Sequence, residues 1–148
     1  MKSRNMISDA HSVVAHLIQY AVWLISFAAA IALAVLFRTA LLAFMVRITE
    51  AGYWGGVRIS LVDRVYLVVV ALGLTGYLVA GEYYLRRGRE TKTLAARSFG
   101  VFGFECVILG IGLLLLVVFS NFETIAVFAA AVAIIAGIGL LLMARKLR

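Results

Sequence analysis
Between Asp9 and Arg38 the chain carries no charged residue, and three more long apolar stretches follow. Inside a bilayer no water is present to bond backbone N–H and C=O groups. A helix meets that need within itself, and about 20 residues cross a hydrocarbon core of about 30 Å. The pattern predicts four helical spans: Val13–Phe37, Val65–Leu85, Ser98–Phe119 and Thr124–Ala144. The first is long enough to tilt. The expected fold class is all-α, an integral-membrane four-transmembrane-helix bundle forming one domain over residues 1–148.

The first span has the basic start of a cleaved signal peptide in Lys2 and Arg4, and Ala28-Ala29-Ala30 imitates a cleavage site. The apolar run continues through Phe37 with no polar cleavage region, so the span is expected to stay in the protein. Ser120-Asn121-Phe122-Glu123 has the S-x-x-E form of a capping box ahead of the fourth span. So short a turn predicts a tight antiparallel hairpin of spans three and four. Ser60-Leu61-Val62-Asp63 offers a similar start for span two.

The long connection Arg38–Arg64 is not ordinary loop. Ala40–Val46 is apolar, and Gly52-Tyr53-Trp54-Gly55-Gly56 mixes aromatic rings with flexible turns. Tyr and Trp favour the membrane–water boundary, which makes Tyr53 and Trp54 expected interfacial or partner-contact residues. Thr39–Glu50 reads as a helical continuation of span one or as an interfacial helical segment between helices 1 and 2.

Composition sharpens the class. Hydrophobic residues make up 65% of the chain and charged residues 14%, against about half and about a quarter in soluble domains. A soluble domain of this length has too much surface to hide that apolar content. The net charge of +7 comes from basic residues at the ends of apolar runs, where they suit lipid headgroups. No nucleic-acid partner is expected, because neither a basic helix face nor a zinc-ligand pattern is present. With four spans both termini share a side with the loop between spans two and three. That side holds ten of the 14 Lys and Arg residues and the other holds four. The positive-inside rule then puts both termini in the cytoplasm, with the cell inner membrane as the expected location.

Proline is absent, so kinks must come from glycine or polar side chains. Lipid is as apolar as leucine, and helices in it associate through close packing and polar contacts. Ala129, Ala133 and Gly137 form a small-residue stripe on span four. Ala28 and Ala32 on span one, Gly73 and Gly76 on span two, and Gly103 and Gly110 on span three offer similar close approaches. Leu113–Leu116 and Ile134–Ile135 are then expected to face lipid or a partner.

Glu105 is the position with the most chemistry, since an ionisable group within the hydrocarbon is costly and marks a candidate functional site. Counted from the side of the termini, Gln19 lies at nearly its depth and His16 one turn nearer the surface, so His16, Gln19 and Glu105 form the expected intramembrane polar cluster. Tyr77, Glu82, Tyr83 and Tyr84 approach from span two. Glu105 is then either a protonated acid hydrogen-bonded to Gln19 or a tyrosine, or a proton carrier in coupled transport.

His11 and His16 share one helix end, which does not suit a haem held between facing helices, although His16 alone could ligate a pigment or haem from one side. Cys106 has no second cysteine for a disulfide and reads as a small apolar residue. No metal-ligand set, nucleophile triad or phosphate-cradling loop stands out. Neither a catalytic residue nor a cofactor or metal is therefore expected. The leading functional expectation is a non-catalytic membrane subunit, with the lipid bilayer and other integral-membrane subunits, or further copies of itself, as partners. The alternatives are a small homo-oligomeric proton-coupled transporter using Glu105 and, after it, a pigment or haem carrier through His16.

Overall fold
The computed structural model describes the backbone of residues 2–49, 53–120 and 124–147, and the side chains of 13–49, 55–119 and 125–147. The described residues form four helices: α1 (Lys2–Ile48), α2 (Tyr53–Glu90), α3 (Leu94–Ser120) and α4 (Thr124–Lys146). All four are long and apolar enough to cross a membrane. With 65% hydrophobic residues, this is the composition and architecture of a multi-pass membrane protein.

Two contacts give the direction of each helix. Trp23 Nε1 donates to the Leu78 carbonyl at 3.1 Å and Arg38 reaches Asp63, so α1 and α2 run antiparallel. Gly103 lies against Gly137, and Gly110 against Ala130 and Ile134, so α3 and α4 form an antiparallel hairpin. Residues 121–123 of the expected capping box lie outside the described residues.

Among the described residues no separate interfacial helix stands between α1 and α2. Of the two expected arrangements of Thr39–Glu50, the structure has the helical continuation of α1, as far as Ile48. The chain carries no proline or glycine from Val13 to Ala51, and α1 runs on to Ile48. Thr39 and Thr49 turn their hydroxyls back to the carbonyls of Val35 and Met45, which removes them as competitors of the helix. The extension is held from α3: Phe44 meets Phe119 with ring centroids 4.8 Å apart, and Arg47 Nη1 donates to the Val118 carbonyl at 2.7 Å. That guanidinium meets one of the last carbonyls of α3, at the negative end of the helix dipole.

The start expected at Ser60–Asp63 is also corrected. These residues lie inside α2, which begins at Tyr53. Asp63 receives both arms of Arg38, at 2.7 and 2.8 Å, in a two-pronged ion pair rather than capping a helix. Beside it the Tyr66 hydroxyl donates to the Ala34 carbonyl at 2.5 Å.

The corner between α2 and α3 is a Schellman cap. The Thr93 N–H reaches the Gly88 carbonyl at 2.8 Å and the Lys92 N–H that of Arg89 at 3.2 Å. Lys92 takes the left-handed conformation (φ 58°) at the position where glycine is usual. Arg97 braces the same corner: its Nη1 donates to the Tyr84 carbonyl at 2.7 Å, and its guanidinium carbon lies 4.7 Å from the centre of the Tyr84 ring. A left-handed side-chain-bearing residue costs about 1 kcal/mol. Lys92→Gly is therefore expected to raise the midpoint of thermal unfolding in detergent, and an unchanged or lower midpoint would show the lysine side chain to be a net stabiliser.

Packing is uneven. The α3–α4 contact is the most extensive; α1 meets both α2 and α3, and α2 touches α3 more lightly. Among the described residues α4 contacts α3 alone. The two partners bury Ala96, Gly103 and Gly110 on α3, and Ala130, Gly137 and Ala144 on α4, apart from Gly112 of α3, which is buried against Leu36 and Phe37 of α1. Each set has a seven-residue spacing, the repeat that keeps one seam in contact as two helices cross at a shallow left-handed angle. A four-residue stripe drifts off that seam, which is why Ala130 is buried and Ala129 exposed. Leu116 and Ile134, expected outside, are packed inside: Leu116 is buried, and the Ile134 side chain fills the space beside Gly110. Gly73 and Gly76 have no atom of another helix within van der Waals reach of where a Cβ would stand.

Candidate functional site
Three polar side chains meet midway along the first three helices. Ser26 of α1 and Tyr77 of α2 both donate to Oε1 of Glu105 on α3, each at 2.5 Å, and the two hydroxyl oxygens are 2.5 Å from each other. Ser26 and Glu105 are buried and Tyr77 half-buried. The arrangement follows from the helix directions. Ser26 lies twelve residues before Arg38, and Tyr77 fourteen after Asp63, so the Arg38–Asp63 pair sets both at one depth.

Hydroxyl donors suit a carboxyl group here, because hydrogen bonds to charged or acidic partners strengthen where water is excluded. Both donors converge on Oε1, and no hydrogen bond to Oε2 is formed among the described residues. No cation reaches Glu105 either: the ion pairs of the described residues are Arg38–Asp63 and Arg86–Glu90.

Glu105 borders two grooves. One, of about 360 Å³, lies between α1 and α3 and is lined by Ala29, Ala32, Phe102 and Cys106 among others. The second, of about 440 Å³, lies between α1, α2 and α3, with Phe37, Tyr66, Tyr77 and Phe104 among its walls. In both, Glu105 is the one ionisable carboxyl among apolar and aromatic neighbours.

The residues expected to cluster separate into two groups. Glu105 accepts from Tyr77, and its other partner is Ser26 rather than Gln19. Gln19 is seven residues nearer the start of α1, about 10 Å away along the axis. It is buried, 2% exposed, and its Oε1 finds no hydrogen-bond donor. His16 is exposed one turn further on. Depth counted from the termini misplaces these residues because α1 has no marked end on that side; counted from Arg38 and Asp63, Ser26 and Tyr77 fall into register.

Comparison with known proteins finds no family profile that matches the chain, no curated protein similar to it and no solved structure that resembles it. The site therefore stands on its own chemistry. Among the described residues no three His, Cys, Asp or Glu side chains group as metal ligands. Cys106 is half-buried on the α1–α3 groove. Tyr53 and Trp54 open α2, and their side chains, like that of His11, lie outside the described residues.

What this arrangement can do is hold three helices together at one point. Interhelical hydrogen bonds of this kind contribute about 0.6 kcal/mol each on average within membranes. A shared acceptor makes them mutually dependent.

Proposed function
We propose that this chain is a non-catalytic subunit of a membrane complex, inserted in the cell inner membrane with both termini cytoplasmic, and packed against other integral-membrane helices or further copies of itself. The observation that carries the reading is the position of α4. Among the described residues it leans on α3 alone, and its opposite face presents Ile125 and Phe128, each 75% exposed, and Ile135, 70% exposed. The buried residues of α4, Ala130, Gly137 and Ala144, are small and lie toward α3, and the outer face offers these protruding side chains to a neighbouring helix.

The basic residues support the orientation. Arg86, Arg87, Arg89, Lys92 and Arg97 cluster at the α2–α3 corner, on the same side as Arg145 and Lys146. The buried acid fits a structural subunit too, since Glu105 already has two donors that tie helices together.

Extraction in a mild detergent, followed by light scattering and native mass spectrometry, tests the proposal. The expected result is a defined species heavier than one copy of the chain, with Ile135→Arg reducing it to a single copy that keeps its helical circular dichroism. A monodisperse single copy from the unaltered chain would overturn the reading.

A further inference from the structure
The groove between α1, α2 and α3 combines features that call for one class of guest, and we propose that it is a binding site for a lipophilic organic cation. Four aromatic residues line it, Phe37, Tyr66, Tyr77 and Phe104, together with Gly73, over about 440 Å³. That volume is in the range of small-molecule sites. At one end stands Glu105, only 7% exposed, with Oε1 taken by Ser26 and Tyr77 and no hydrogen bond to Oε2 among the described residues.

Charge balance selects the guest. An anionic carboxylate in an apolar setting needs a compensating positive charge. Neither ion pair of the described residues includes Glu105, so the described residues supply none there. A proton can fill that need, and so can a cationic molecule seated in the groove. Inorganic cations fit poorly, because hard ions take about six oxygen ligands and one carboxylate with two hydroxyls offers too few. A cation with an apolar body loses little on leaving water, meets the carboxylate with its charge, and lies against aromatic faces that attract positive charge.

The inference concerns α1, α2 and α3 and is independent of the subunit proposal, which concerns the outer face of α4; either can fail alone. It rests on two features of one groove, its aromatic lining and its lone acid.

Tetraphenylphosphonium is a suitable probe, with the neutral triphenylphosphine oxide as its comparator. Equilibrium dialysis of the full chain in detergent micelles, corrected for protein-free micelles, is expected to give saturable binding of the cation and none of the neutral compound. Glu105→Gln keeps the shape and the hydroxyl acceptor but removes the charge, and is expected to weaken binding at least tenfold. Gly73→Leu fills the groove from α2, where a Cβ at Gly73 meets no atom within 4 Å, and is expected to abolish binding. Equal binding of the two compounds by the unaltered chain, or no saturable binding of the cation, would overturn the proposal without reliance on any variant. Undiminished binding to a folded Glu105→Gln or Gly73→Leu protein would overturn it as well.

Discussion
Replacing Gly137 by leucine is expected to detach α4 from the rest of the molecule. A Cβ at Gly137 would stand 2.7 Å from the Gly103 carbonyl oxygen, 2.7 Å from Val107 Cγ2 and 2.9 Å from the Val107 nitrogen. Two of these are backbone atoms of α3 that no rotamer change can move. Even Gly137→Ala must push the helices apart, at about 2 kcal/mol by the usual cost of overpacking. Leucine adds a branched side chain to the same clash. Because α3 is the one contact of α4 among the described residues, no other surface takes up the loss.

Gly139, two residues on, is the control. Nothing lies within 4 Å of its Cβ position, so Gly139→Ala is expected to be neutral or mildly stabilising through better helix propensity. Unfolding of both variants in mixed micelles titrated with sodium dodecyl sulfate, followed by circular dichroism, reads the difference. Equal stability of Gly137→Leu and Gly139→Ala would show that the two helices do not pack as described.

The second large effect is expected when both donors to Glu105 are removed and the acid is left. Ser26→Ala with Tyr77→Phe strands a buried carboxyl group without a partner, at about 3 kcal/mol, since an unsatisfied buried group loses more than the net value of its hydrogen bonds. Adding Glu105→Leu to that double variant removes the stranded group and is expected to restore much of the stability. The sign is what matters: a third substitution improves a protein that two have harmed. The same denaturation measurement checks it. A triple variant less stable than the double would show that Glu105 draws its support from a group other than these hydroxyls.

The helices and their number are legible in the sequence because lipid imposes one rule on every span, and that rule is written in uninterrupted apolar runs. The ends are less legible. Nothing between Val13 and Ala51 breaks a helix, so hydropathy falls at Arg38 while the backbone continues to Ile48. Asp63 resembles a cap in the sequence, yet it is the counter-ion of Arg38, a partner 25 residues away that local pattern cannot supply.

The same limit applies to the site. Glu105 stands out as an acid in an apolar run, and Tyr77 as a hydroxyl in the next. Ser26 is inconspicuous until the helices are set in register, although it is one of only two polar side chains between Val13 and Phe37, Gln19 being the other, that lie buried. The small-residue seam was half visible, since Gly103, Gly110 and Gly137 are evident but the seven-residue phase that chooses Ala130 over Ala129 depends on crossing angle.

The α3–α4 seam joins helices adjacent in the chain, whereas the Glu105 hydroxyl bonds join residues 28 and 79 positions apart. Contacts of the first kind close a short loop, and those of the second a long one. The hairpin contacts are thus the ones with the lower cost of loop closure. The three-way knot at Glu105 completes only once α1 and α2 have been brought alongside, which makes it a marker of the finished arrangement.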